Sequence, residues 1–195
     1  NEDGDIEINK FEKLITPKTK IVGITHLSNV TGTIVPVKEI VEIAHKKNIP
    51  VLIDGCQSAP HIKIDVQDID CDFYVMSAHK VYGPTGVGIL YGKKKWLENL
   101  PPYMGGGGMI SEVKKDKITY ASLPEKYEAG TMPTAEVIAF NESIKFMNSI
   151  GIQNLMNHEK ELTNYALEKL KKMNSVKIIG NPKNKAGVIS FTIKG

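Results

Sequence analysis

Cys71-Asp72-Phe73-Tyr74-Val75-Met76-Ser77-Ala78-His79-Lys80 is the stretch that decides how this chain folds. Its aromatic and β-branched middle reads as a buried strand. Ser77, His79 and Lys80 mark where that strand opens into the loop Gly83-Pro84-Thr85-Gly86-Val87-Gly88. A lysine at the mouth of a buried strand is a candidate for Schiff-base chemistry, because desolvation favours a neutral amine that can attack a carbonyl. Taken alone, a lysine is more simply a solvated surface residue. The surrounding residues set Lys80 apart.

A second run of the same kind, Ile49-Pro50-Val51-Leu52-Ile53, leads into Asp54-Gly55-Cys56-Gln57-Ser58. A carboxylate directly after Val-Leu-Ile is expected to be buried, and so to have a cationic or hydrogen-bonding partner. Residues 20–25 and 87–91 form two further short apolar strands. Behind Pro36, which suits the first turn of a helix, Val37, Ile40, Val41 and Ala44 recur at helical spacing. Strands alternating with a helix predict an α/β fold, a parallel sheet with helices on its faces. Ligands of such sheets bind outside the carboxyl ends of the strands, which would put Asp54 and Lys80 on one edge. An acid that keeps a pyridine nitrogen protonated and a lysine that holds an aldehyde are the minimum apparatus for pyridoxal phosphate. An acid and a lysine on neighbouring strands also arise without a cofactor, and spacing leaves both readings open.

Three further motifs extend the pattern. His26-Leu27-Ser28-Asn29-Val30-Thr31-Gly32-Thr33 lies upstream of Asp54-Gly55-Cys56-Gln57 and of the stretch from Cys71 to Gly86. Gly105-Gly106-Gly107-Gly108-Met109-Ile110 and Tyr127-Glu128-Ala129-Gly130-Thr131-Met132-Pro133-Thr134 follow. Together they resemble the fold-type I pyridoxal phosphate enzymes, and more narrowly the SufS-type (group II) cysteine desulfurases and their selenocysteine lyase relatives. The resemblance covers practically the whole chain. It implies a mostly parallel sheet flanked by helices, followed by the start of a smaller C-terminal α+β domain. Residues 1–149 would be the cofactor-proximal part of the large domain and 150–195 the beginning of the small one.

The same resemblance implies roles residue by residue. Lys80 would be the catalytic residue, holding pyridoxal 5'-phosphate as a Schiff base and moving protons at the substrate Cα. Asp54 would pair with the ring nitrogen and Gln57 with the phenolic oxygen. Ser77 and His79 would hold the phosphate through charge-assisted hydrogen bonds. Thr131 would reach the phosphate of a partner subunit in a homodimer, and Asn29 would lie beside the ring and the substrate. Asn29 also reads as a turn residue ahead of Gly32. The implied reaction converts L-cysteine to L-alanine and leaves an enzyme persulfide. Its sulfur would pass to an acceptor protein of a SUF-type system for iron–sulfur cluster assembly. Selenocysteine lyase, another class V aminotransferase-like enzyme, or a truncated cofactor-binding or dimerisation module are the alternatives.

The chain departs from the family pattern in instructive ways. The family nucleophile is a cysteine far downstream, and neither Cys56 nor Cys71 matches it; both read as small hydrophobes. The family seats the substrate carboxylate on an arginine, whereas all 25 basic residues here are lysines. The side chain that stacks on the ring comes from an earlier segment, and Met104 stands where an acidic or polar residue is common. With no initiator Met and an end directly after a strand-like 188–193, the chain is expected to be an interior piece, inactive by itself.

The remaining sequence sets bounds. A hydrophobic fraction of 41% with 24% charged residues is an ordinary globular profile, and no apolar run is long enough for a membrane span. The mild charge of +3 and the single run Lys93-Lys94-Lys95 read as solvated surface and argue against nucleic acid. The five histidines lack zinc spacing, so no metal is expected. The loop 83–88 lacks the Gly-Lys-Ser/Thr of a P-loop. Unpaired cysteines suit a reducing compartment. The Lys, Asn and Ile bias suggests an AT-rich genome, which leaves a cytoplasmic or plastid-like location open. Residues 114–126 should form a loop or hairpin at a subunit contact. Thr134 should cap a helix ending before Gly151. Leu155, Leu162, Ala166, Leu170 and Met173 should form the buried face of a second, whose C-terminal lysines suit the dipole.

Overall fold

The computed structural model describes residues 1–194 of the chain. After α1 (Ile8–Leu14), the first half alternates β1 (Val22–Thr25), α2 (Val37–His45), β2 (Val51–Asp54), α3 (Val66–Ile69) and β3 (Phe73–Ser77). A 3-10 turn, Ala78–Lys80, leads on to β4 (Gly88–Gly92). These strands form one sheet in the order β1-β2-β3-β4. Strands β1, β2 and β3 are parallel, in register Thr25 to Asp54 and Asp54 to Val75. Strand β4 is antiparallel to β3, so the sheet is mostly parallel, as the resemblance implied. The antiparallel return reflects chain length: residues 78–87 hold one tight turn, and a parallel return needs a longer crossover, usually helical.

Hydrophobic periodicity explains how the sheet is covered. Val37, Ile40, Val41 and Ala44 lie on one stripe of α2 and are all buried. They pack with Val51 and Ile53 of β2, which are fully buried, and with Cys71 and Tyr74. Each such aliphatic side chain contributes about 1.5–3 kcal/mol when removed from water. Ile53→Ala is the change that would most directly open this core, at about 2–5 kcal/mol.

The buried carboxylate is Asp72, not Asp54. Asp72 is fully buried at the foot of β3. It accepts hydrogen bonds from His45 Nε2 (2.7 Å), Trp96 Nε1 (2.6 Å) and the Val51 amide (2.9 Å). Burial pushes its carboxyl up, but these bonds outweigh that and hold it below its usual range. It thereby ties together α2, β2, β3 and α4 (Lys94–Asn99). The lysine run leads into a helix rather than a loop; Lys94 is exposed and pairs with Glu98, while its two neighbours reach this corner. Lys93 precedes α4 and reaches Asp70 at 2.5 Å, while Lys95 lies 3.8 Å from Asp72.

The second half holds the hairpin β5 (Ile110–Val113) and β6 (Ile118–Tyr120), a 3-10 turn at Glu125–Tyr127, then α5 (Thr134–Ile150) and α6 (Ile152–Lys171). The hairpin β7 (Val176–Ile179) and β8 (Ser190–Ile193) follows. Thr134 does not cap α5. It is the first helical residue, and its hydroxyl bonds the Met132 carbonyl instead. Gly151, at φ +84°, separates the two helices. On α6 the expected stripe is displaced: Leu162 and Met173 are exposed, and Thr163 faces inward with Leu155, Ala166 and Leu170 half-buried. A short polar side chain can take the inward position because its hydroxyl bonds back to the Glu159 carbonyl at 2.7 Å. No helix among the described residues is long and apolar enough to cross a membrane.

Candidate active site

Because β1, β2 and β3 run parallel, their carboxyl ends line one edge of the sheet, and the singled-out residues collect there. Asp54 is the last residue of β2 and Ser77 the last of β3; His79 and Lys80 lie in the turn directly after it. Cys56 Sγ lies 3.3 Å from Ser77 Oγ, which joins the turn after β2 to the end of β3. Asn29 is exposed in the turn that follows β1, on the same edge. Gln57 is half-buried in the turn after Asp54. Thr131 stands apart, exposed in the loop before α5, and no hydrogen bond joins it to this edge among the described residues.

Asp54 is exposed, contrary to the expectation of burial. It is the last residue of β2, paired with Thr25 and Val75 at the carboxyl end of the sheet, where its side chain stays open. The Cys56 amide donates to its Oδ1 at 2.9 Å, and Oδ2 has no partner among the described residues. Lys80 is half-buried and makes neither hydrogen bond nor ion pair there. An unpartnered carboxylate oxygen, an unpartnered amine, a hydroxyl and an imidazole on one open edge are a donor set that fits a phosphorylated pyridine aldehyde. The backbone is shaped for close approach nearby. A Cβ on Gly88 would meet the Met76 carbonyl at 2.8 Å, and Gly86 has φ +83°. No cluster of potential metal ligands occurs among the described residues.

A buried polar network beneath this edge escaped the sequence reading. Tyr74 Oη lies 2.7 Å from Ser58 Oγ and 3.0 Å from His26 Nδ1, and Ser58 donates to the Gly55 carbonyl at 3.1 Å. Burial raises the Tyr74 phenol and lowers His26 to about 4, so both are neutral. A neutral His26 can donate through Nδ1 to Tyr74, which donates on to Ser58. The network braces the turn that carries Asp54 and Gln57. It also explains Gly55, where a Cβ would come within 2.0–2.3 Å of the Tyr74 ring. Tyr74 was the available signal, since a phenol inside an apolar strand must find a partner. Cys71 is fully buried, and burial raises its thiol to about 11, in keeping with a small hydrophobe.

On the far side of the same turn, His61 meets Glu159 of α6 at 2.6 Å and Gln57 at 3.3 Å. The spacing Gln57-x-x-x-His61 was legible, but its partner on α6 was not.

Comparison with known proteins bears on the family and the fold. The family model described as Aminotransferase class-V matches residues 1–195. A probable cysteine desulfurase of Halalkalibacterium halodurans is 48% identical over 192 residues, covering 98% of this chain and 47% of that protein. The cysteine desulfurase CsdA of Escherichia coli superimposes with a TM-score of 0.91 at 35% identity, over 97% of this chain and 47% of that one. A C-DES mutant with glycine covalently linked to its PLP cofactor gives 0.87 at 24% identity, over 98% and 51%, which speaks to the fold alone. The chain spans about half the length of the curated relatives it matches.

Proposed function

Because the chain belongs to the class V aminotransferase family, with a fold-type I architecture, we propose that it carries the cofactor-holding half of a pyridoxal 5'-phosphate-dependent cysteine desulfurase. The observation that carries this reading is the meeting of Asp54, Ser77, His79 and a half-buried, unpartnered Lys80 on one edge of the parallel strands. The cysteine desulfurases among its relatives support it. The protein would act on L-cysteine, giving L-alanine and an enzyme-bound persulfide.

The bound cofactor supplies an electron sink for charge developing at the substrate Cα. The chain's own residues do the rest. Asp54 would pair with the ring nitrogen and keep it protonated. Gln57 donates from its amide to the phenolic oxygen, while Ser77 and His79 donate to the phosphate. Lys80 would hold the cofactor through its amine and would move a proton at the substrate Cα. Asn29 lies beside ring and substrate. Thr131, on its separate loop, would serve the phosphate site of a partner subunit in a homodimer. Exposed apolar side chains such as Ile138, Phe146 and Leu162 suit packing against a second copy or further chain.

By its motifs the protein would be of the SufS type, passing sulfur to an acceptor of a SUF-type system for iron–sulfur assembly, in the cytoplasm or a plastid-like organelle. Residues 1–149 would serve the large domain and 150–195 open the small one. Borohydride reduction of the yellow full-length protein, followed by peptide mapping, tests the central assignment. The cofactor should be fixed on the peptide containing Lys80, and a label on any other lysine refutes it.

A further inference from the structure

Gln57 is not free to choose which end of its amide faces the sheet edge. It stands four residues before His61 on a helical turn closed by Ala59 N→Gly55 O and Ile62 N→Ser58 O, both within 3.0 Å. That spacing puts the two side chains on one side of the turn. Gln57 Nε2 lies 3.3 Å from His61 Nε2. An amide nitrogen only donates, so the imidazole Nε2 must accept, and the ring proton therefore sits on Nδ1. Nδ1 in turn faces Glu159 Oε1 at 2.6 Å, a donor meeting a carboxylate. Carboxylate, imidazole and amide thus form a directional relay.

Each end of the relay is fixed. Glu159 projects from α6, and its carboxylate lies against Gly187, where a Cβ would approach Oε1 to 2.5 Å. The segment holding Gly187 is itself pinned to the loop after β1 by Ala186 N→Gly32 O and Ile34 N→Asn184 O, each 2.9 Å. The side chains of His61 and Glu159 are 23% and 28% exposed, so water competes only weakly for these bonds.

We propose that His61 and Glu159 are positioning residues for Gln57, holding its amide so that its second N–H, rather than its carbonyl, is presented to the phenolic oxygen of the cofactor. The proposal rests on the assignment of Gln57 made above. With the relay cut, the amide can flip and direct a carbonyl oxygen at an oxygen bearing negative charge. The effect is therefore electrostatic at the cofactor, beyond any clip that α6 gains from the turn.

The experiment uses the full-length holoprotein and measures two quantities besides activity: the dissociation constant for pyridoxal phosphate and the pH midpoint of the bound cofactor's absorbance change. Thermal midpoints serve as the control for simple destabilisation. His61→Ala and Glu159→Ala should weaken cofactor binding roughly threefold to tenfold, the scale of one hydrogen bond, and move the absorbance midpoint. Glu159→Gln, which can still accept from Nδ1, should restore both. In a Gln57→Leu background His61→Ala should add nothing, because the relay has lost its end. If Gln57→Leu shifts affinity and absorbance while His61→Ala lowers only the thermal midpoint, the relay is refuted and Gln57's role stands. If Gln57→Leu changes neither, the assignment of Gln57 falls, and the relay with it. Should His61→Ala not fold, Glu159→Ala against Glu159→Gln reads the same relay from its far end.

Discussion

Acidifying the protein should destabilise it through His26, and the size of the effect follows from where that side chain sits. His26 is 6% exposed and bonded to Tyr74 Oη at 3.0 Å, and desolvation lowers its pKa from 6.5 to about 4. The unfolded chain has no such burial and binds the proton near pH 6.5. The neutral imidazole's contribution is therefore complete above about pH 6.5 and is lost as the pH falls toward the folded value. Between about pH 7.5 and about pH 4.5 the loss comes to about 2.5 kcal/mol. Other groups titrate in this window, so the measurement is a difference. His26→Gln cannot take up the proton and should start about 1–2 kcal/mol less stable at neutral pH, having lost the bond to Tyr74. On acidification the gap to the wild type should close and then reverse between about pH 6 and about pH 5. Urea unfolding of the full-length protein, followed by circular dichroism at a series of pH values, reads both curves. A gap that stays constant over the whole range would refute the reasoning, because it would mean that His26 titrates alike in both states.

Asp54→Asn should leave the fold intact and cut turnover by roughly two orders of magnitude, the scale of losing one electrostatic partner in an active site; near-normal steady-state rates would make Asp54 a turn residue. Asp72→Ala should cost about 3–5 kcal/mol in urea unfolding, because His45, Trp96 and the Val51 amide lose a buried acceptor together. An effect below about 1 kcal/mol would show that water replaces it. Cys71, with its thiol raised to about 11, should resist iodoacetamide at about pH 8 in the native protein and react once unfolded. Rapid native labelling would contradict its burial.

Where reading the chain from its sequence succeeded, the information was local. The stripe Val37, Ile40, Val41 and Ala44 repeats with the helical period, and all four residues are buried. The strand before Ser77 and the short strand Val51–Asp54 formed as expected, because apolar runs between turn residues have few other ways to bury themselves. The α6 stripe failed at Leu162 and Met173, because which side of a helix is covered depends on what packs against it, here the residues before β8.

What the sequence determined by itself was the architecture of the edge: parallel strands whose carboxyl ends carry Asp54, Ser77, His79 and Lys80. Strand period and turn chemistry act over a few residues, and they suffice to put each of those side chains at a strand terminus. Tertiary structure alone decided the rest. It buried Asp72 and left Asp54 open, although both are aspartates beside apolar strands. The difference is that one is held by side chains of α2 and α4 and the other stands open at the carboxyl end of β2. Tertiary structure also brought Glu159 to His61 and Tyr74 to His26 across long stretches of chain. A polar side chain takes whichever partner folding delivers, and no periodicity in the sequence records which one that will be.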